Sequence, residues 1–143
     1  PGYVVKALAK YQHSSPTKPQ RAPHKWNKSV YGLRKQLAKP HDISKKLDRK
    51  GKTTLQSIAG TFLYYKQAVK SPILVALNDI GTQQASPTVN TMAEAKWMMD
   101  FLHTHPGAKL WFFAGNMQLA VDLDASYLVL PGAKSRYAGN FYL

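Results

Sequence analysis

Asp122 and Asp124 stand two residues apart in the segment Met117-Gln118-Leu119-Ala120-Val121-Asp122-Leu123-Asp124. Apolar residues alternate there with small or polar ones, which is the period of a half-buried strand, and residues two apart on a strand project to one side. Both carboxylates therefore share a face. Carboxylate oxygens are the donors that a hard divalent cation such as Mg²⁺ prefers, so the pair is a candidate metal cradle. The plain alternative is a solvated strand end, and spacing alone does not separate the two.

A second set of residues suits a polyanion. Tyr11, Trp26 and Tyr31 are interleaved with a series of cations. Aromatic rings among cations fit stacking on bases with phosphate contacts beside them. Lys18, Arg21, Lys25, Trp26, Lys28, Tyr31, Arg34 and Lys35 are accordingly the candidate nucleic-acid contacts. The alternative is an arm whose rings pack against the rest of the chain.

Other motif-like features carry less. Gly51-Lys52-Thr53 imitates the end of a phosphate-binding loop, but Lys46 replaces the earlier glycine and no strand precedes it, so no cofactor site is assigned. His103 and His105, two apart near a helix end, point to different faces; capping of the last carbonyls is the better reading. His13, His24 and His41 are scattered as polar residues or backbone contacts. Asn27-Lys28-Ser29 matches a glycosylation sequon with no sign of secretion beside it.

The charge distribution supports the polyanion reading. The 143 residues carry a net charge of +13, and residues 1–52 hold 14 of the 20 Lys and Arg with only two acids, Asp42 and Asp48. A chain this basic associates with polyanions, nucleic acid being the usual one. There is no cysteine, which excludes disulfides and thiolate metal sites and suits an intracellular protein, cytoplasmic or nuclear. No stretch has the 18 or so apolar residues of a bilayer span. Lys66 and Lys70 interrupt the most apolar one, so no membrane partner is expected. The opening Pro1-Gly2-Tyr3-Val4-Val5, with no initiator Met or signal pattern, reads as a fragment or processed piece.

The elements that must position these residues follow from periodicity. Val4, Val5 and Leu8 form one stripe of a short helix ending near Tyr11. Pro16, Pro19, Pro23 and Pro40 then make residues 12–52 an irregular arm, extended over a partner or mobile. Leu55, Ile58, Phe62, Tyr65 and Val69 recur at three or four, predicting a helix with Thr53 or Thr54 as its N-cap. Ser71-Pro72 breaks it, and Ile73, Ala76, Leu77 and Ile80 continue the apolar face to about Gln84. After Ser86-Pro87-Thr88, a third helix buries Met92, Ala95, Met99 and Leu102 and stops at His105-Pro106-Gly107. From Lys109 the period becomes two. A strand over residues 110–114, a hairpin turn at Gly115-Asn116, a strand closing at Asp124 and a last strand over residues 137–143 are expected.

At this point the order of pieces resembles a known family. Ala59-Gly60-Thr61-Phe62-Leu63-Tyr64-Tyr65, followed by Ser71-Pro72-Ile73-Leu74-Val75-Ala76-Leu77, is similar to the connection helices of LTR-retrotransposon Pol proteins of the copia type. Ser86-Pro87-Thr88 and the helix through Trp97 and Leu102 match the turn and helix that come next. Leu123-Asp124-Ala125-Ser126-Tyr127, with Lys134-Ser135-Arg136-Tyr137-Ala138-Gly139 ten residues on, resembles the first RNase H strand with its leading catalytic aspartate and the start of the second. The opening five residues and Tyr11-Gln12-His13 resemble the stretch after the polymerase palm. The sequence departs from the pattern at Leu123, where a small polar residue is usual, and at Ala114-Gly115-Asn116, in place of a charged loop.

The resemblance implies an α+β chain: a basic irregular arm (1–52), a three-helix connection layer (53–107) and the first antiparallel strands of a truncated RNase H-like sheet (108–143). It implies a piece of a reverse transcriptase–RNase H polyprotein that links polymerase to nuclease and contacts an RNA–DNA hybrid. Its partners are that nucleic acid and the remainder of Pol. Asp124 would be the leading catalytic carboxylate and Mg²⁺ ligand, with Asp122 beside it. Two metals about 4 Å apart need more acids than one strand supplies, so the isolated chain is expected to be inactive. A stand-alone basic nucleic-acid-binding module is the competing expectation.

Overall fold

The computed structural model describes residues 2–25, 42–68, 71–107, 114–130 and 134–142. These fall into two compact units, one drawn from Pro1–Asn27 and Ser44–Leu110, the other from Lys28–Ile43 and Trp111–Leu143. The chain is mixed α and β, with its helices in the first unit and an antiparallel hairpin in the second.

The helical unit begins with α1 (Tyr3–Lys10). Gly2 precedes it at φ 86°, a left-handed conformation that glycine adopts without Cβ strain, and its carbonyl accepts from the Lys6 N–H at 3.0 Å. Val4, Ala7 and Leu8 are buried, whereas Val5, expected on the same stripe, is 59% exposed. The stripe is set by the 4–7–8 spacing, and position 5 falls about 100° around from position 4.

α2 (Arg49–Ala68) starts four residues before Thr53. Asp48, not a threonine, caps it, its carboxylate accepting from the Gly51 N–H at 2.8 Å. The hydroxyls of Thr53 and Thr54 instead donate back to the Arg49 and Lys50 carbonyls at 3.0 Å each, the habit of these residues inside a helix. Leu55, Ile58, Phe62 and Tyr65 are buried as the period predicts; Val69 lies outside the described residues.

A turn of 3-10 helix (Ser71–Ile73) leads into α3 (Leu74–Thr82), and α4 spans Val89–Thr104. Thr88 caps α4 through a reciprocal pair: its hydroxyl accepts from the Thr91 N–H at 3.2 Å, and the Thr91 hydroxyl accepts from the Thr88 N–H at 3.1 Å. α4 packs on α1, α2 and α3. One core results, in which Phe62, Leu55, Ile73 and Leu102 have no exposed surface.

Residues 12–25 are not an arm in search of a partner: they lie along α4. His13 Nε2 donates to Asp100 Oδ1 at 2.8 Å, Ser15 Oγ meets His103 Nε2 at 3.1 Å, and the Gln20 N–H donates to Thr104 Oγ1 at 3.1 Å. Trp97 Nε1 donates to the Ala22 carbonyl at 3.0 Å, and Pro23 is buried. Proline-rich backbone that cannot form a ladder is thus satisfied one group at a time by polar side chains of a helix.

In the second unit, β1 (Ala120–Leu130) pairs antiparallel with β2 (Lys134–Tyr142). The register is regular from Ala120↔Tyr142 to Ser126↔Arg136 and irregular between Ser126 and Leu130. This corrects three expectations. Residues 114–119 are not strand; Asn116 Oδ1 accepts from the Gln118 N–H at 3.1 Å, making a local side-chain turn with Met117 at φ 60°. Asp124 does not close its strand but sits mid-strand, because pairing with Ala138 and its neighbours overrides the weak strand preference of Asp-Ala-Ser. The second strand also begins earlier, at Lys134. Of the strand expected over 110–114, residues 110–113 lie outside the described residues.

Candidate functional site

Asp122 stands opposite Asn140 and Asp124 opposite Ala138, so the strand's alternation places both acids on one face of the hairpin. Both are exposed. Cross-strand neighbours Val121↔Phe141, Leu123↔Gly139 and Ala125↔Tyr137 occupy the other face. Gly139 leaves room there for Leu123, whose Cδ2 would lie 2.9 Å from a Cβ at position 139. Among the described residues, no group of three His, Cys, Asp or Glu is placed to hold a metal. The two acids supply hard oxygen donors but not the full set that a two-metal centre needs.

Of the candidate nucleic-acid contacts, Lys18, Arg21 and Lys25 are exposed on the segment that runs along α4, and Lys25 Nζ lies 5.3 Å from the centre of the Trp97 ring. Trp26, Lys28, Tyr31, Arg34 and Lys35 lie outside the described residues, as do His41 and the sequon. Tyr11 follows the packing alternative: its hydroxyl meets Ser57 Oγ at 2.9 Å and Thr61 Oγ1 at 2.6 Å on α2. The His103 ring meets Ser15 Oγ and the His105 ring meets the Gln20 carbonyl, each at 3.1 Å.

The fold assembles a further site. Where α1 ends and α2 begins, an open groove of about 1030 Å³ is bordered by Lys10, Arg49, Lys50, Thr53, Thr54 and Ser57, with Tyr11, Gln12 and Asp48 completing its rim. Lys10 Nζ stands 5.2 Å from the centre of the Tyr11 ring. Burial pushes the Tyr11 phenol up, but the hydrogen bonds with Ser57 and Thr61, aided by the Lys10 charge, outweigh it and hold the phenol below its usual range. The signal in the sequence was the acid-poor run Lys45–Lys52. Only the fold brings Lys10 alongside that run.

No helix among the described residues is long and apolar enough to cross a membrane. The chain matches no protein-family model, no curated protein and no solved structure, so its functional reading rests on its own residues and their geometry.

Proposed function

We propose that this chain is a segment of a copia-type retrotransposon Pol protein that joins polymerase to nuclease and contacts template-primer nucleic acid. The observation that carries the reading is the hairpin. An exposed aspartate, Asp124, stands within a strand that pairs antiparallel with the segment beginning at Lys134, in the order that the resemblance implies for the opening of an RNase H-like sheet. The helical unit before it fits the connection helices, and the basic N-terminal third fits a polyanionic substrate.

In this reading Asp124 is the leading carboxylate of an Mg²⁺ site, with Asp122 beside it and the remaining acids supplied from elsewhere in Pol. The described residues do not complete such a site, so no catalytic step is assigned to this chain. Labelled RNA–DNA hybrid incubated with the chain and Mg²⁺ is expected to be bound and left intact. Robust cleavage that disappears in Asp124→Asn would refute the inactive-segment reading.

A stand-alone basic nucleic-acid-binding module is the competing reading, favoured by the cationic groove. It requires no role for Asp124. Coding sequence on either side of this chain discriminates: Pol demands polymerase motifs upstream and further RNase H acids downstream.

A further inference from the structure

We propose that the groove between the end of α1 and the first turns of α2 holds the phosphodiester backbone of a nucleic-acid strand. The inference deepens the nucleic-acid reading and rests on it. Its cations come from two elements: Lys10 is the last residue of α1, and Arg49 and Lys50 are the first two of α2. Among the described residues none of these three is ion-paired. The carboxylate on the rim, Asp48, is engaged by the Gly51 N–H.

The placement of the cations is costly to the isolated fold. Asp48 already answers the helix dipole at the cap of α2, and the first turn behind it has no acid and carries Arg49, Lys50 and Lys52 close together. Lys52 is occupied, donating to the Ala85 carbonyl at 2.7 Å. Arg49 and Lys50 border open space in the groove. An anion lying there relieves the mutual repulsion of these cations. Hydroxyl-bearing Thr53, Thr54 and Ser57 line the same wall, although the two threonine protons are committed to helix carbonyls, leaving oxygen lone pairs and steric shape rather than donors. Affinity therefore falls to the cations.

The chemistry favours a polymer over a small anion. Exposed cations gain little from one small ion, whereas a strand presents several phosphates at once and releases counterions from each. The groove is also open, and its volume slightly exceeds the about 300–1,000 Å³ typical of small-molecule pockets, which suits a chain passing through it. Lys10 is held at the rim by the Tyr11 ring, which is itself fixed to α2 by Ser57 and Thr61. That part of the site is organised before binding.

The test measures fluorescence anisotropy of a labelled single-stranded oligonucleotide against the full 143-residue chain from low to moderate salt. Wild type is compared with the triple variant Lys10→Gln, Arg49→Gln, Lys50→Gln, and with Lys96→Gln as a charge control on exposed α4 surface. The triple variant is expected to lose about tenfold or more in affinity and to flatten the log–log salt slope by about 2, at roughly 0.7 per phosphate contact on a single strand. Lys96→Gln should stay within about twofold. Arginine at positions 10 and 50, which keeps the charge, should preserve binding, and helical circular dichroism verifies folding of each variant. Oligonucleotide should also protect Lys10 and Lys50, but not Lys96, from acetylation read by mass spectrometry, while inorganic phosphate at the same phosphate concentration should not.

Undiminished binding in the folded triple variant, or equal acetylation of Lys10 and Lys50 with and without oligonucleotide, overturns the groove assignment and leaves the nucleic-acid reading standing. Protection by inorganic phosphate alone overturns it in favour of a small-anion site. Failure of wild type to bind at low salt overturns both.

Discussion

Removing one hydroxyl inside the helical unit should destabilise it more than removing one methyl at the same place. Thr91 is fully buried. Its hydroxyl donates to Gln83 Oε1 at 2.8 Å, accepts from the Thr88 N–H at 3.1 Å and meets the Thr88 hydroxyl at 3.0 Å. Thr91→Val keeps the shape and deletes all three bonds. Loss of the capping interaction is worth about 1 kcal/mol, and a buried acceptor deprived of its donor costs about 1–3 kcal/mol. Gln83 is half-buried, so the lower end applies and the total is about 2 kcal/mol. Thr91→Ser keeps the hydroxyl and loses one methyl, about 0.8 kcal/mol of transfer free energy. Urea unfolding followed at 222 nm is the assay, because the described helices all belong to this unit. The Val variant should fall by about 2 kcal/mol, equivalent to roughly 10 °C in Tm for a unit of this size, and the Ser variant by less than half of that. A Val variant as stable as wild type, or one more stable than Ser, would show that packing and not the Thr88–Thr91–Gln83 bonds sets the start of α4.

Three further outcomes are expected. Gly60→Ala should stabilise the helical unit by about 0.5–1 kcal/mol, since Gly60 is exposed within α2 with nothing within 4 Å of a new Cβ. Gly51→Ala should bring no such gain, because its Cβ would lie 2.9 Å from the capping Asp48 Oδ1; equal stabilisation in urea melts would contradict the cap. In a spectrophotometric titration, one tyrosine should ionise earlier than the bulk, and Tyr11→Phe should remove that early phase. Because its folded pKa lies below the unfolded value of 10.0, the stabilisation tied to its ionised form is complete above the unfolded pKa and lost as pH falls through the folded one. Its absence from the early phase would count against the Ser57–Thr61–Lys10 environment. Trp97→Phe, which removes the indole N–H bond to the Ala22 carbonyl, should speed tryptic cleavage after exposed Arg21 several-fold; an unchanged rate would mean that Trp97 does not secure the segment along α4.

Local signals decided which segments become helices. The three-and-four spacing of Leu55, Ile58, Phe62 and Tyr65 and the breaks at Ser71-Pro72 and Ser86-Pro87 state their own structure, because a helix's stripe and its punctuation are written in neighbouring residues. Alternation likewise placed Asp122 and Asp124 on a shared strand face. What the sequence did not disclose depends on pairs far apart in the chain. The strand that continues past Asp124 needs β2 to hold it. Residues 12–25 have too few apolar side chains to announce a packed segment; His13, Gln20 and Ala22 find polar partners about 75–87 residues away on α4. The groove arises in the same way. Lys10 and Lys50 are 40 positions apart in sequence and border one space only because α1 and α2 meet in the tertiary structure, where long-range packing, not local propensity, chooses the neighbours.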